Sequence, residues 1–482
     1  MNELLKLVQT VNGYLTDYIL IFLLVGTGLW FSVKTRFVQI RCFGEGMKKV
    51  FGSISLRGGK NEGGLSSFQA LATAIAAQVG TGNIVGASGA ILTDGPGAIF
   101  WMWVIAFLGM ATIYAEAVLA QETRITDENG ELHGGPVYYI KKAFSGFFGK
   151  FLCVFFAIAC ILALGFMGSM VQSNSIAEAC NAAFGIPVWI IGIIVALVCS
   201  FIFIGGIQRI ASVTEKLVPF MAGLFLLGGV VILIFRIKYL PATIGMIFKY
   251  AFTPSALIGG GIGAALKTAI SQGAKRGLFS NEAGMGSTPH AHAFAKVEKP
   301  HDQGIAAMVG VFIDTFVVLT ITALVVISSL YAGDGILANL TGDMYQSVAG
   351  GNTSVAVGNA TVFLSKTNAM QLAYSDALPE FFGNFGNIFI AVCLLFFAFS
   401  TIIGWNFFGK INAQYLFGKR QKLGTIIYSV LAVCFIFLGS VLKNDLVWEL
   451  TDFFNYLMVI PNVLALFSLT KLVVTSSKNN KK

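Results

Sequence analysis

Gln78-Val79-Gly80-Thr81-Gly82-Asn83-Ile84-Val85-Gly86 lies inside an apolar run, 66–92, that is long enough to cross a bilayer as a helix. Three glycines and the polar side chains Gln78, Thr81 and Asn83 at that depth do not suit a continuous helix facing lipid. Each amide or carbonyl left unpaired in hydrocarbon costs several kcal/mol, so irregular backbone is tolerated there only where protein or a watery cavity surrounds it. A second run, 257–292, has the same character: it passes from Gly259-Gly260-Gly261 to Gly277-Leu278-Phe279-Ser280-Asn281-Glu282-Ala283-Gly284-Met285-Gly286. Both are expected to be interrupted membrane helices.

The rest of the chain agrees with a membrane solvent. Of 482 residues, 56% are hydrophobic and 11% charged, with 43 Phe and 55 Gly, against about one-quarter charged in soluble domains. The net charge of +9 has no basic domain outside the apolar runs to form a nucleic-acid face, so topology explains it and nucleic acid is excluded as a partner. Seven cysteines, Cys42, Cys153, Cys160, Cys180, Cys199, Cys393 and Cys434, show no C-x-x-C spacing, so neither a disulfide framework nor a zinc site is indicated. The first apolar stretch has no small-residue cleavage site and reads as a retained helix.

Eleven spans are expected, at 15–34, 66–92, 97–120, 151–178, 188–206, 214–236, 257–292, 305–331, 385–409, 424–442 and 452–474. With the N-terminus outside, 23 of the 32 lysines and arginines fall on the inner side, which sets the C-terminus in the cytoplasm of a bacterial-type plasma membrane. Lys267, Lys275 and Arg276 lie within the seventh span and take no side. The outer loop 332–384 is expected to carry short surface helices and to cap an external vestibule. The chain 1–482 thus reads as one all-α transmembrane domain. Setting 15–34 aside as an extra helix makes the two interrupted spans the first and sixth of ten. These ten divide into five-helix halves, 66–236 and 257–474, the mark of an inverted-repeat transporter.

A zwitterion entering such a cavity needs amide donors for its carboxylate and oxygen acceptors for its ammonium. A helix that restarts after Gly80 offers the first amides of Thr81, Gly82 and Asn83 and its positive dipole end, and Gly82 admits close approach. The half-helix ending near Gln78 and Val79 offers free carbonyls to an ammonium or a sodium ion. The competing reading is close helix packing, for which Gly82 and Gly86 are correctly spaced, but packing does not call for Gln78, Thr81 and Asn83.

In the ninth span, Phe397-Ala398-Phe399-Ser400-Thr401-Ile402-Ile403-Gly404-Trp405 sets two hydroxyls and, one turn beyond Thr401, a large ring on nearby faces. Hydroxyls are hard oxygen ligands for an alkali cation, although such a pair commonly bonds back to its own helix, and Trp405 alone reads as core. The patch Gln172, Ser173, Asn174 and Ser175 either faces the cavity or marks the outer end of the fourth span. No carboxylate pair suggests a proton relay: Glu116 lies toward an inner end, Glu178 toward an outer end, and Asp314 is the best single candidate. His290, His292 and His301 with Glu282 match no H-E-x-x-H pattern and read as a solvated inner loop.

Gly97-Ala98-Ile99-Phe100-Trp101-Met102-Trp103-Val104, continuing to Gly109-Met110-Ala111-Thr112-Ile113-Tyr114-Ala115-Glu116, closely resembles the signature of the alanine or glycine:cation symporter family, the sodium:alanine symporters. Gly134-Gly135-Pro136-Val137-Tyr138-Tyr139-Ile140 and Ser280-Asn281-Glu282-Ala283-Gly284-Met285-Gly286-Ser287 are similar to two further blocks of that family. Ile113 departs from it, standing where relatives often place Lys.

The resemblance implies the leucine-transporter fold and sodium-coupled symport of a small neutral amino acid, alanine or glycine, into the cell. By that likeness the amides of Thr81 and Gly82 bind the carboxylate and the Gln78 carbonyl faces the ammonium. Gly80, Asn83, Gln172 and Thr401 are counted with them at the substrate, Ala76, Val79, Ser400 and Thr401 hold sodium, and Phe279 and Trp405 wall the side-chain pocket. It implies no cofactor besides the coupling ion and no covalent chemistry, and a monomer is expected. The rivals are a membrane metalloenzyme using His290, His292 and Glu282, and a gated channel.

Overall fold

The computed structural model describes residues 2–52, 65–126, 132–253, 262–338, 348, 353–357, 360–442 and 444–478. In chain order the helices are α1 (Glu3–Lys34), α2 (Phe43–Gly52), α3 (Ser67–Gln78), α4 (Gly82–Asp94), α5 (Ala98–Thr123), α6 (Pro136–Ala143), α7 (Gly146–Phe184), α8 (Val188–Ile204), α9 (Gly206–Phe235) and α10 (Leu240–Phe252). There follow α11 (Ile262–Asn281), α12 (Pro289–Ala293), α13 (Pro300–Tyr331), α14 (Ala369–Ala377), α15 (Phe385–Phe417), α16 (Gln421–Val441) and α17 (Asn444–Ser468). Among the described residues seven helices are long and apolar enough to cross a membrane, or eight if the bent pair α3 and α4 is one span.

The α15–α16 segment, 57 residues from Phe385 to Val441, is a single apolar run. At 1.5 Å per residue a straight helix of that length would reach about 85 Å, far beyond a hydrocarbon layer of roughly 30 Å. The chain turns back at Gly418, whose φ of 51° is open to glycine, and the two helices pack on each other. Leu197, Phe201, Leu227 and Ile426 on α8, α9 and α16 are all exposed, whereas α3, α4 and the inner faces of α5, α13 and α15 are buried. That distribution suits a bundle whose solvent is lipid, with small and polar residues at its centre.

The loop 332–384 departs in part from expectation. Among its described residues it contains α14 and a short 3-10 helix at the surface, Glu380–Phe382, but also an antiparallel hairpin of β1 (Thr353–Val357) and β2 (Ala360–Leu364) that pairs Thr353 with Leu364 and Val357 with Ala360. Its signal was in the sequence: β-branched residues on both sides of Gly358-Asn359. Helix α14 is not a surface helix, since Met370, Gln371, Ala373 and Tyr374 are buried against the bundle. At the start of the loop, the Arg236 guanidinium hydrogen-bonds Asp334 at 2.6 Å and holds that carboxyl below its usual range. The stretch Gly259-Gly260-Gly261 lies outside the described residues.

Candidate functional site

Helix α3 starts at a capping box in which the Ser66 hydroxyl accepts from the Gln69 amide and the Gln69 side chain accepts from the Ser66 amide. It stops at Val79, whose φ and ψ of −80° and 90° are extended. The chain resumes as α4 in a wide first turn over Gly82–Gly86, bent by 44° from α3. The backbone freed here is met by side chains. The Gly80 amide donates to Asn83 Oδ1 at 3.0 Å, and the Thr81 amide donates to Gln172 Oε1 at 3.1 Å. Gln172 therefore faces the break and does not mark the outer end of α7. Gly82 lies under Phe279, where an added Cβ would stand 3.0 Å from the ring.

The second interruption follows Asn281. Between α11 and α12 the backbone takes φ of 58° at Glu282, 91° at Gly284 and 79° at Gly286, conformations that favour glycine at the latter two. Two buried carboxylates hold this segment. Glu116 of α5 accepts the Gly286 amide at 3.0 Å, the Gly284 amide at 3.2 Å and Asn462 Nδ2 at 2.5 Å, while Tyr139 donates to Asn462 Oδ1 at 2.5 Å. Glu282 accepts from Trp405 Nε1 at 2.5 Å and from the Ser287 hydroxyl.

The two interruptions are joined. Gln78 Nε2 donates to the Asn281 carbonyl at 2.7 Å. Asp314 of α13 accepts Asn83 Nδ2 at 2.7 Å, the Ser280 hydroxyl at 2.9 Å and the Thr315 hydroxyl at 2.8 Å. Sequence reasoning considered Asp314 only as a proton carrier and Glu116 only as an end residue. A buried carboxylate within an apolar span was the available signal; its partners were not.

Beside the first interruption, oxygens from α3 and α15 converge. Thr401 Oγ1 is 3.0 Å from the Ala76 carbonyl and 3.4 Å from that of Val79, and Ser400 Oγ is 3.4 Å from the Ala76 carbonyl. Two carbonyls and two hydroxyls at such separations make a hard-oxygen donor set of the kind alkali and alkaline-earth cations take. Three side-chain atoms around the same break, Gln78 Oε1, Thr81 Oγ1 and Gln172 Nε2, are buried without a hydrogen-bond partner. A buried orphan costs about 1–3 kcal/mol, so each of these atoms is a candidate to pair with a polar group that enters the break. Phe279 and Trp405 meet edge to face at 5.9 Å between ring centroids, and Phe279 also lies 5.0 Å from Trp448.

Gly80 permits the approach of α3 to α15, because an added Cβ would overlap the Thr401 hydroxyl and come within 3.2 Å of Gln172 Oε1. Gly80→Ala should lower uptake by about tenfold or more, on the 1–3 kcal/mol scale of overpacking. Wild-type rates in vesicles with equal amounts of protein would refute the close packing argued here.

Next to Trp448, Val85, Gly86, Gly89, Lys275 and Arg276 help line a cavity of about 90 Å³. The charges left unassigned in the seventh span are paired: Lys267 with Asp17 at 2.7 Å, Lys275 with Asp452 at 2.8 Å and Arg276 with Asp452 at 3.5 Å. The expected solvated histidine loop is overturned. His290, His292, His301 and Glu282 are all buried, with His290 between the Ser287 carbonyl at 2.6 Å and Asn412 at 2.8 Å, and His292 on Gln303 at 2.7 Å. These rings pack and bond the segment after the second break instead of facing water, because the chain there turns back into the bundle. His290, His292 and Glu282 do not form a metal-ligating group among the described residues.

Comparison with known proteins gives concordant matches. The model of the sodium:alanine symporter family matches residues 1–482. The chain is 40% identical to the sodium/alanine symporter AgcS of Methanococcus maripaludis, over 99% of this chain and 97% of that one. It is 38% identical to the putative sodium/proton-dependent alanine carrier protein YrbD of Bacillus subtilis, over 98% and 91%. It is 36% identical to the probable sodium/glutamine symporter GlnT of the same organism, over 99% and 91%. Among solved structures, MhsT in complex with L-phenylalanine superposes with a TM-score of 0.58 at 15% identity, covering 87% of this chain and 96% of that one, a likeness of fold alone.

Proposed function

Because the chain belongs to the sodium:alanine symporter family, and is thus a multi-pass membrane transporter and not an enzyme, we propose that it couples sodium entry to uptake of a small neutral amino acid, alanine or glycine. The observation that carries this reading is the convergence of the Ala76, Val79, Ser400 and Thr401 oxygens at the first interruption, where Gln78, Thr81 and Gln172 each keep a buried polar atom without a partner. The substrate carboxylate takes the amides of Thr81 and Gly82, displacing Gln172 from the former, and its ammonium takes the Gln78 carbonyl. Gly80 and Asn83 shape the turn that presents these groups. Sodium binds the four oxygens of α3 and α15. Binding of both draws the interrupted helices together, and the core helices rock to open the site inward.

This reading includes eleven spans, with α1 as an extra helix and halves 66–236 and 257–474 related as inverted repeats about the two interruptions. It also includes an outer N-terminus and a cytoplasmic C-terminus in a bacterial-type plasma membrane, a monomer, and no cofactor beside the coupling ion. Counterflow of labelled alanine into proteoliposomes, with and without a sodium gradient, tests it. Saturable, sodium-stimulated exchange is expected; exchange indifferent to sodium, or flux that neither saturates nor distinguishes stereoisomers, would overturn it.

The relative named for glutamine makes pocket size the point to test. On this reading Phe279 and Trp405, whose rings meet edge to face at 5.9 Å, wall the substrate's side chain and admit hydrogen or methyl. Trp405→Ala should raise leucine uptake relative to alanine by about tenfold or more, since one methylene in an apolar pocket is worth roughly 1–3 kcal/mol. Trp405→Phe loses the bond to Glu282 yet keeps most of the bulk, so it should still exclude leucine. An unchanged substrate range in the alanine variant removes Trp405 from the pocket.

A further inference from the structure

Away from the transport site, three side chains meet where α2 packs on the start of α13. The Cys42 sulfur, a Glu45 carboxylate oxygen and a His301 ring nitrogen all lie within 4.8 Å of one another, the sole such His, Cys, Asp or Glu group among the described residues. Cys42 immediately precedes α2, Glu45 stands in its first turn, and His301 is the second residue of α13. Cys42 and His301 are 5% and 1% exposed. The imidazole is oriented from one side: its Nδ1 shares a 2.7 Å hydrogen bond with the Tyr114 hydroxyl. Its other nitrogen, Nε2, is buried with no hydrogen-bond partner and faces Glu45 Oε2 at 3.9 Å. A histidine fixed through one nitrogen, with the other free and aimed at a thiol and a carboxylate, has the form of a metal ligand with its outer partner in place.

We propose that Cys42, Glu45 and His301 bind a thiophilic divalent cation of the zinc class. Thiolate, imidazole and carboxylate are each zinc ligands, and three of them leave a fourth tetrahedral position for water. The sulfur argues against magnesium and calcium, which take oxygen ligands. The metal enters from the side of Glu45, whose side chain is 39% exposed, and displaces the thiol proton. Two cations, Arg41 and Lys49, lie near enough to oppose it, but Lys49 is engaged by Asp302. An added Cβ on Gly46 would stand 3.0 Å from the Ile305 carbonyl, so α2 and α13 are already in close contact and the ion would staple them. The absence of any C-x-x-C spacing does not bear on such a site, since its ligands come from distant parts of the chain.

Titration of the purified full-length protein in detergent with Co²⁺, followed by Zn²⁺ competition, tests this. One equivalent of Co²⁺ should bind with sulfur-to-cobalt charge-transfer absorption and be displaced by Zn²⁺. Cys42→Ser should abolish that absorption, Glu45→Gln should weaken binding by at least about tenfold, and Cys434→Ser should change neither. Metal-free uptake by Cys42→Ser at the wild-type rate would show that this variant is folded. No saturable binding by the wild type, absorption that survives in Cys42→Ser, or absorption that disappears in Cys434→Ser would each overturn the proposal.

Discussion

Thr401→Ala should raise the sodium concentration for half-maximal uptake by about tenfold to a hundredfold, while substrate affinity at saturating sodium changes by less than about threefold. The magnitude follows from the ~1.5–3 kcal/mol carried by a neutral dipole that interacts with a charge. The selectivity follows from position. Thr401 Oγ1 is within 3.4 Å of both carbonyls, Ala76 and Val79, whereas the amides assigned to the substrate, those of Thr81 and Gly82, follow Gly80 in the chain and the first of them is held by Gln172. Loss of the hydroxyl also removes its bond to the Phe397 carbonyl at 3.0 Å, a cost of about 1 kcal/mol that a folded protein withstands. Thr401→Ser retains the oxygen and should retain sodium affinity. Uptake measured against sodium concentration decides: an unaltered half-maximal concentration in Thr401→Ala would sever Thr401 from the cation.

Asp314→Ala should reduce uptake by a hundredfold or more, roughly the effect of removing an acceptor on which three donors depend. Asn83 Nδ2, the Ser280 hydroxyl and the Thr315 hydroxyl all end on this carboxylate. In the alanine variant Asn83 Nδ2 keeps only the residue-314 backbone carbonyl, 3.1 Å away, while the two hydroxyls lose their acceptor at about 1–3 kcal/mol each; Asn83 and Ser280 belong to opposite sides of the site. Without Asp314 the two interrupted helices keep, among the described residues, only the bridge from Gln78 to the Asn281 carbonyl. Asp314→Asn keeps the shape and one acceptor oxygen, so it should recover part of the rate. Thermal stability in detergent separates loss of transport from loss of fold. Undiminished uptake by Asp314→Ala would show that the interruptions are held by other groups.

The breaks themselves were legible. Glycine and polar side chains amid an apolar span carry a cost that only an enclosed site offsets, and α3 stops at Val79, inside the segment that signalled it. The position of the second break was less so. Glycines run from 277 to 286, yet Gly277 is helical and the chain leaves the helix only after Asn281. What distinguishes Gly284 and Gly286 is a carboxylate from α5 bonded to their amides. The histidines misled for a related reason. A polar stretch next to lysines reads as a wet loop, but His290 and His292 each find a buried partner in Asn412 or Gln303.

The sequence alone determined that the chain crosses a membrane several times, that two of its helices are interrupted, the first of them near Gly80, and which residue types surround the interruptions. These are local consequences of backbone that must satisfy its own hydrogen bonds in hydrocarbon. Only the tertiary structure decided which atoms meet: Thr401 with Ala76 and Val79, Gln172 with the Thr81 amide, Asp314 with both interruptions, and Cys42 with His301. A buried polar atom announces that it needs a partner, but helix packing supplies one from any part of the chain, and that choice has no signature in residue spacing.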